Sequence, residues 1–317
     1  MKKTALILAL LMGSVANAQD FPTRPIRVVV PYSAGGSSDG PMRVIAQEMS
    51  KQLGQQMVVE NKPGQGAMLG SADVVKAPPD GYTLLLASNP NAISASLYSK
   101  LTHDPVEDFA PVTLLASEQA VLLVNPSVPA RNVQEFIAYV KERPGKVDYS
   151  SSGNGSAQHL FMAMFSAMAG IQMNHIPYKG SAQAVTDLLG GQVAAAMPGL
   201  AAMRGHIREG RARALAVTGA RRASAAPDIP TMIESGLKDY ELYVWMGMLA
   251  PKATPAPVID KLHREFVTAL RAPAVKSFMD HAAIEAVGST PAEFGRFFRE
   301  EKARWAKIIR ETGARID

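Results

Sequence analysis

Short runs of consecutive apolar residues alternate along this chain with longer stretches whose apolar positions recur every three or four residues. The first run, Ile26-Arg27-Val28-Val29-Val30-Pro31-Tyr32, reads as a strand that empties into a Gly/Ser-rich turn. Met42, Ile45, Met49 and Leu53 then share one helix face, and Gly54 stands where a carboxyl-terminal cap is expected. A strand over 57–60, a turn at Pro63-Gly64 and a helix over 67–75 follow. Pro78-Pro79-Asp80-Gly81 then turns the chain tightly into another strand over 82–87. Strands that are apolar throughout and separated by helices predict a sheet covered on both faces.

The same rhythm recurs with strands over 147–151, 173–178, 193–197 and 214–218, each followed by a helix-forming stretch, so a second α/β unit is expected. Apolar runs within 111–125 and 240–250 lie where the chain would cross between units and return; they read as hinge strands. Thr290-Pro291-Ala292-Glu293 is a capping box with proline at the first helical position. It opens a terminal helix through Phe294, Phe298, Trp305 and Ile309, whose apolar face is expected to pack on the first unit. The fold class is therefore α/β, with two sheet-centred lobes joined by hinge strands. The expected division is 19–122 with 246–317 for the first domain and 123–245 for the second, which suits the usual domain size better than one very large core.

Composition narrows the function. With 47% hydrophobic and 19% charged residues the chain has the make-up of a folded protein. Having no cysteine, it can form no disulfide, thiolate metal site or cysteine nucleophile. Lys2 and Lys3, the apolar run 5–12 and Ala16-Asn17-Ala18 are laid out as a secretory signal peptide over 1–18, cleaved after Ala18. That run is far below the roughly 20 residues a spanning helix needs, so an exported periplasmic product is expected. The formal charge of +5 is scattered, without a basic stripe interleaved with aromatics, so nucleic acid is not an expected partner.

The most informative local feature is the loop Pro31-Tyr32-Ser33-Ala34-Gly35-Gly36-Ser37-Ser38-Asp39 between a buried strand and a helix. Free N–H groups at such a junction, backed by a helix dipole, favour carboxylate or phosphate. A second loop of the same build, Ser150-Ser151-Ser152-Gly153-Asn154-Gly155-Ser156, follows a strand of the other unit. Two such loops facing one cleft would make a clamp. Micromolar affinity needs about 8 kcal/mol. A dipole contributes only about 0.3–1 kcal/mol, whereas hydrogen bonds to a charged group are worth roughly 1.5–3 kcal/mol each. Amide and hydroxyl donors must therefore carry binding.

Gly36-Ser37-Ser38-Asp39-Gly40 also spells G-x-S-x-G, which raises an exported serine hydrolase as the alternative. Ser33 to Gly36 separate the strand from Ser37, too long a path for a nucleophile elbow. Gly64-Gln65-Gly66 with Gly70 misses dinucleotide spacing, and no histidine pair brackets a glutamate at zinc-site spacing, so no cofactor or metal is expected. His159, in the first turn after the second loop, Tyr178 and Lys179 at a strand end, Ser88-Asn89 at another, and Pro198 complete the candidate ligand contacts.

In order along the chain, Pro31-Tyr32-Ser33-Ala34-Gly35-Gly36 with Asp39 and Arg43, Glu60-Asn61-Lys62-Pro63-Gly64, Pro79-Asp80-Gly81-Tyr82-Thr83-Leu84, Ser151-Ser152-Gly153-Asn154-Gly155-Ser156 with His159, and His175-Ile176-Pro177-Tyr178-Lys179-Gly180 resemble the Bug family, the extracytoplasmic receptors of tripartite tricarboxylate transporters. The resemblance implies a type II periplasmic-binding-protein fold that closes on a small carboxylate and presents it to a membrane permease, acting as a monomer and not as an enzyme. Feeding a sensor kinase is the second possibility. It places ligand contacts on Tyr32, Ser33, Ala34, Gly35, Gly36, Ser37, Ser38, Asp39, Ser88, Asn89 and on Ser152, Gly153, Asn154, Gly155, Ser156 and His159. Ala163 and Met197-Pro198-Gly199 depart from acidic or polar residues usual in the family, and Gly40-Pro41 alters the first helix turn. The less acidic cleft favours a dicarboxylate, tricarboxylate or aromatic acid without an amine.

Overall fold

The structure, a computed structural model, describes residues 21–35, 38–98 and 100–312. The expected signal peptide, Gly36 and Ser37 lie outside the described residues. Two sheets organise the chain. The first holds β1 (Ile26–Val30), β2 (Met57–Asn61), β3 (Thr83–Ser88), β4 (Phe109–Gln119), β10 (Tyr243–Pro251) and β11 (Glu285–Ala286), in the order β11-β4-β10-β3-β1-β2. The second holds β5 (Val121–Val124), β6 (Asp148–Ser151), β7 (Asn174–Pro177), β8 (Ala195–Ala196) and β9 (Arg213–Val217), in the order β7-β6-β8-β5-β9. Around the first pack α1 (Asp39–Leu53), α2 (Met68–Val75), α3 (Asn89–Leu97), α8 (Ala256–Arg271), α9 (Pro273–Ala282) and α10 (Pro291–Thr312). The second carries α4 (Val133–Lys141), α5 (Ala157–Ala169), α6 (Ser181–Leu189) and α7 (Leu200–Arg208).

Both sheets have one plan. Three parallel strands stand in the order second, first, third, and beside the third an antiparallel strand arrives from across the hinge: β10 in the first lobe, β5 in the second. The ladders change hands between Gln119 and Val121 and again just before Tyr243. Direction then fixes where the loops open. β10 is antiparallel to both β3 and β4, so β4 runs the same way as β1 and β3, and its carboxyl end leads straight to the second lobe. The loops after β1 and β3 therefore open on the interlobe edge. In the second lobe Leu123 pairs with Ala196 and Val124 with Ala195, which sets the carboxyl end of β8, and with it that of parallel β6, toward the hinge. An isolated bridge between Ala120 and Gly199 lies at this edge.

The periodicity of 42–53 forms α1, ended by Gly54 at φ 65°, a conformation that costs glycine nothing. The capping box before α10 is closed in both directions: Glu293 N donates to Thr290 Oγ1 at 3.3 Å and Thr290 N to Glu293 Oε2 at 2.8 Å. One expectation is corrected. The stretch after β9, residues 218–242, is a series of turns and not a helix, because Pro227, Pro230, Gly219 and Gly236 interrupt every candidate turn of helix. It is tied back by Leu242 N to Thr218 O and Met232 N to Val217 O.

The terminal helix also does more than cover the first lobe. Trp305, fully buried, stacks on Phe161 of α5 in the second lobe at 5.8 Å between centroids. Its Nε1 donates to the buried carboxylate of Glu301 at 3.0 Å, which accepts from Trp245 Nε1 of β10 at 2.9 Å. Burial pushes the Glu301 carboxyl up, although Arg304 and the two indoles favour its charge. One apolar cluster thus runs through both lobes behind the hinge.

Candidate functional site

In the first lobe the loop after β1 is braced from below. Asp39, at the start of α1 and 3% exposed, accepts from Gly35 N at 2.9 Å, Arg43 Nε at 2.9 Å and Asn61 Nδ2 at 2.9 Å. Burial acts against its charge, but the hydrogen bonds from Arg43, Gly35 and Asn61 hold the carboxyl below its ordinary range. Asn61 also donates to Tyr32 O. Asp39 therefore shapes the loop, and as it is engaged this way it orients no histidine toward Ser38, as a hydrolase would need. Ser33, Ala34 and Gly35 are exposed on the loop crest. Among the described residues the amides of Ser33 and Ala34 donate to nothing.

The strand end of β3 is similarly divided. Ser88 Oγ donates to Tyr32 Oη at 2.8 Å, and Tyr32 Oη to Asn91 Oδ1 at 3.0 Å, an arrangement buried enough to push the Tyr32 phenol up. Asn89 is fully occupied: its Nδ2 donates to Tyr243 O at 3.0 Å and its Oδ1 accepts from Trp245 N at 3.2 Å. It is a strut between α3 and the hinge strand β10.

In the second lobe, Gly153 at φ 128° turns the loop after β6 where a Cβ would come within 3.2 Å of Tyr178 O. Ser151 Oγ accepts from Gly153 N at 3.1 Å, Ser156 Oγ caps α5 through His159 N, and Gly155 N donates to His159 Nδ1 at 3.2 Å. The amides of Asn154, Ala157 and Gln158 stay without partners among the described residues. Ser152 and Ser156 are half-buried and Asn154 exposed. Tyr178 Oη donates to Asp187 at 2.6 Å, a carboxylate partner that pushes the phenol up to about 12, while Lys179 is exposed beside it. Pro198 is buried, its carbonyl accepting from Val121 N at 2.9 Å. The structure thus brings the two crests to one interlobe edge, while Asp39, Asn89 and Pro198 sit behind them as supports.

Two features escaped the sequence reading. His159 and His175 stack face to face with centroids 4.0 Å apart, and Tyr149 stacks on His175 at 4.9 Å. His175 Nε2 lies 2.6 Å from Ser151 Oγ. Burial pushes both imidazoles down to about 4, and His159 adds to the shift of His175. The unfolded chain, with histidines near 6.5, takes up protons that the fold refuses. Stability should therefore be complete above pH 6.5 and fall as pH drops toward 4, by at most about 1.4 kcal/mol per unit for each ring. Urea midpoints at pH 7 and 5 should show this loss, and His175→Gln should recover part of it.

The second feature is Glu118, a lone acid at the end of the apolar β4 run. Its Oε2 accepts from Ala201 N at 3.1 Å, at the start of α7. A Cβ on Gly199 would lie 2.4 Å from its Oε1, so the glycine makes room for the carboxylate. Its signal in the sequence was a single charge within a hinge strand. A hollow of about 630 Å³ lies elsewhere, on the outer face of the first lobe between α1 and β2, lined by exposed long side chains such as Gln47, Lys51 and Gln56. Open to solvent and without a loop crest of free backbone amides in its lining, it makes a weaker case for a ligand than the interlobe edge.

A sequence profile of the tripartite tricarboxylate transporter family receptor matches residues 42–314. The chain belongs to this family, the Bug receptors. It is 38% identical over 307 residues to protein BugT of Bordetella pertussis, covering 96% of this chain and 94% of that one. The solved periplasmic binding protein BugD superposes with a TM-score of 0.84 at 35% identity, covering 93% of this chain and 99% of its own. The R. palustris protein Rpa4515, solved with adipate, gives 0.85 at 32% identity, covering 92% and 98%. The two-lobed type II periplasmic-binding-protein fold expected from the motifs is thereby established. So is a solute-binding family, not an enzyme family. Among the described residues no helix is long and apolar enough to cross a membrane.

Proposed function

We propose that this Bug-family chain captures a small carboxylate without an amine, a dicarboxylate, tricarboxylate or aromatic acid, between its lobes in the periplasm and hands it to a tripartite transporter permease. The observation that carries this is the common interlobe edge of the loops after β1 and β6, each crested with unpartnered amides. Ser33, Ala34 and Ser38 from one lobe and Ser152, Asn154, Ser156, His159 and Lys179 from the other are the proposed contacts. Adipate in the R. palustris relative supports the carboxylate class. A ligand touched by both lobes makes more contacts when they close, so it shifts the hinge toward the closed state. That closed form is what a permease would recognise.

A thermal-shift panel of adipate, malate, citrate and benzoate on residues 19–317, with amino acids alongside, tests the proposal. At 100 times its dissociation constant a ligand should add about 2.7 kcal/mol of stability. Stabilisation by amino acids alone would overturn it.

A further inference from the structure

Glu118 sits where the lobes meet. It belongs to β4 of the first lobe, its carboxylate rests against Gly199 and Ala201 of the second, and it lines a small cavity together with Ser38 of the first ligand loop. Its hydrogen bond from Ala201 N is joined by no ion pair among the described residues. Charged and titratable groups on the neighbouring elements include Tyr243 on β10, Arg204, His206 and Arg208 on α7, Asp280 and His281 at the end of α9, Glu285 on β11 opposite Ser117, and Asp39 with Arg43 on α1. Asp39 is held by Arg43, and Arg204 Nη1 donates to His281 O. None of these neutralises Glu118.

An anion bound between the two crests therefore adds a second negative charge beside an uncompensated one in a partly desolvated cleft. Like charges in such a site disfavour joint ionisation. We infer that capture of a carboxylate in the interlobe cleft takes up a proton at Glu118, making this hinge residue a determinant of which charge state the receptor accepts. The inference rests on the carboxylate assignment above. Burial already pushes the Glu118 carboxyl up to about 7, opposed by the Ala201 amide, so the empty receptor is poised to accept the proton near neutral pH. An ammonium-bearing ligand would do the reverse and expel it.

Isothermal titration of adipate, malate, citrate and benzoate into residues 19–317, in buffers of different ionisation enthalpy from pH 4 to 9, counts the protons. About half a proton or more should be taken up per acid bound near pH 7.5–8, and the dissociation constant should rise up to about tenfold per unit above that. In Glu118→Gln the uptake should vanish and affinity at pH 8.5 should exceed that of the unaltered protein, a gain that a merely structural role would not produce. The unaltered protein also decides by itself should the variant fail to fold: uptake centred above pH 7 points to Glu118, whereas uptake confined to pH 4–6 assigns the proton to His159 and His175 and overturns the inference. Binding with no uptake, with proton release, or with uptake retained in Glu118→Gln overturns it too. Absence of binding by every acid sinks the carboxylate assignment itself.

Discussion

Replacing Asp39 by asparagine should weaken carboxylate binding at least about tenfold and lower stability by roughly 2–4 kcal/mol. The side chain is buried and receives three donors, from Gly35, Arg43 and Asn61. An amide in its place offers one acceptor oxygen and turns an N–H₂ toward groups that are themselves donors. The loop whose Ser33 and Ala34 amides would grip the ligand then loses its fixed shape, and the preorganisation that offsets ordering costs on binding goes with it. Because these partners hold the Asp39 carboxyl below its ordinary range, the bracing is complete across neutral pH and fades only as pH falls below about 4. Calorimetric titration and urea unfolding at pH 7 read the two losses separately. A variant with unchanged affinity would show that the first loop needs no brace, or takes no part in binding.

The second large effect concerns the back of the hinge. Trp305→Ala should destabilise the protein by about 3–5 kcal/mol, lowering Tm by on the order of 6–15 °C. The change removes a fully buried indole, deprives Glu301 of one of its two indole donors, and deletes the ring that stacks on Phe161 across the lobes. Since Phe161 and Trp305 share one contact, Phe161→Ala combined with Trp305→Ala should cost less than the sum of the two single changes. Additive losses, followed by thermal unfolding, would mean that the stack carries no coupling between lobes.

Much of this architecture was legible beforehand for local reasons. Val28, Val29 and Val30 put apolar side chains on both faces of β1 because helices cover both sides of its sheet, and Met42, Ile45 and Met49 share a helical face because that face packs against the β1 side of the core. Thr290 and Glu293 cap α10 through contacts three residues apart. The stretch 218–242 defeated the same reasoning: its apolar residues suggested a helix, whereas its prolines and its long-range ties to Val217 and Thr218 decided for turns. In the candidate site the Ser/Gly crests were visible as composition. Which members face outward was not, since Asp39, Asn89 and Pro198 are claimed by partners remote in sequence or by the hinge.

The sequence by itself determined the strand, loop and helix order around β1 and β6, the capped terminal helix, the two small-residue loops at strand ends and the family, because each depends on residues within a few positions of one another or on motifs in fixed order. Only the tertiary structure decided that those loops share one edge, that His159 lies on His175, that Trp305 joins the lobes, and that Glu118 fills the space Gly199 leaves. Each of these is a meeting of residues far apart in the chain, set by strand direction and register, and no periodicity along a single segment encodes it.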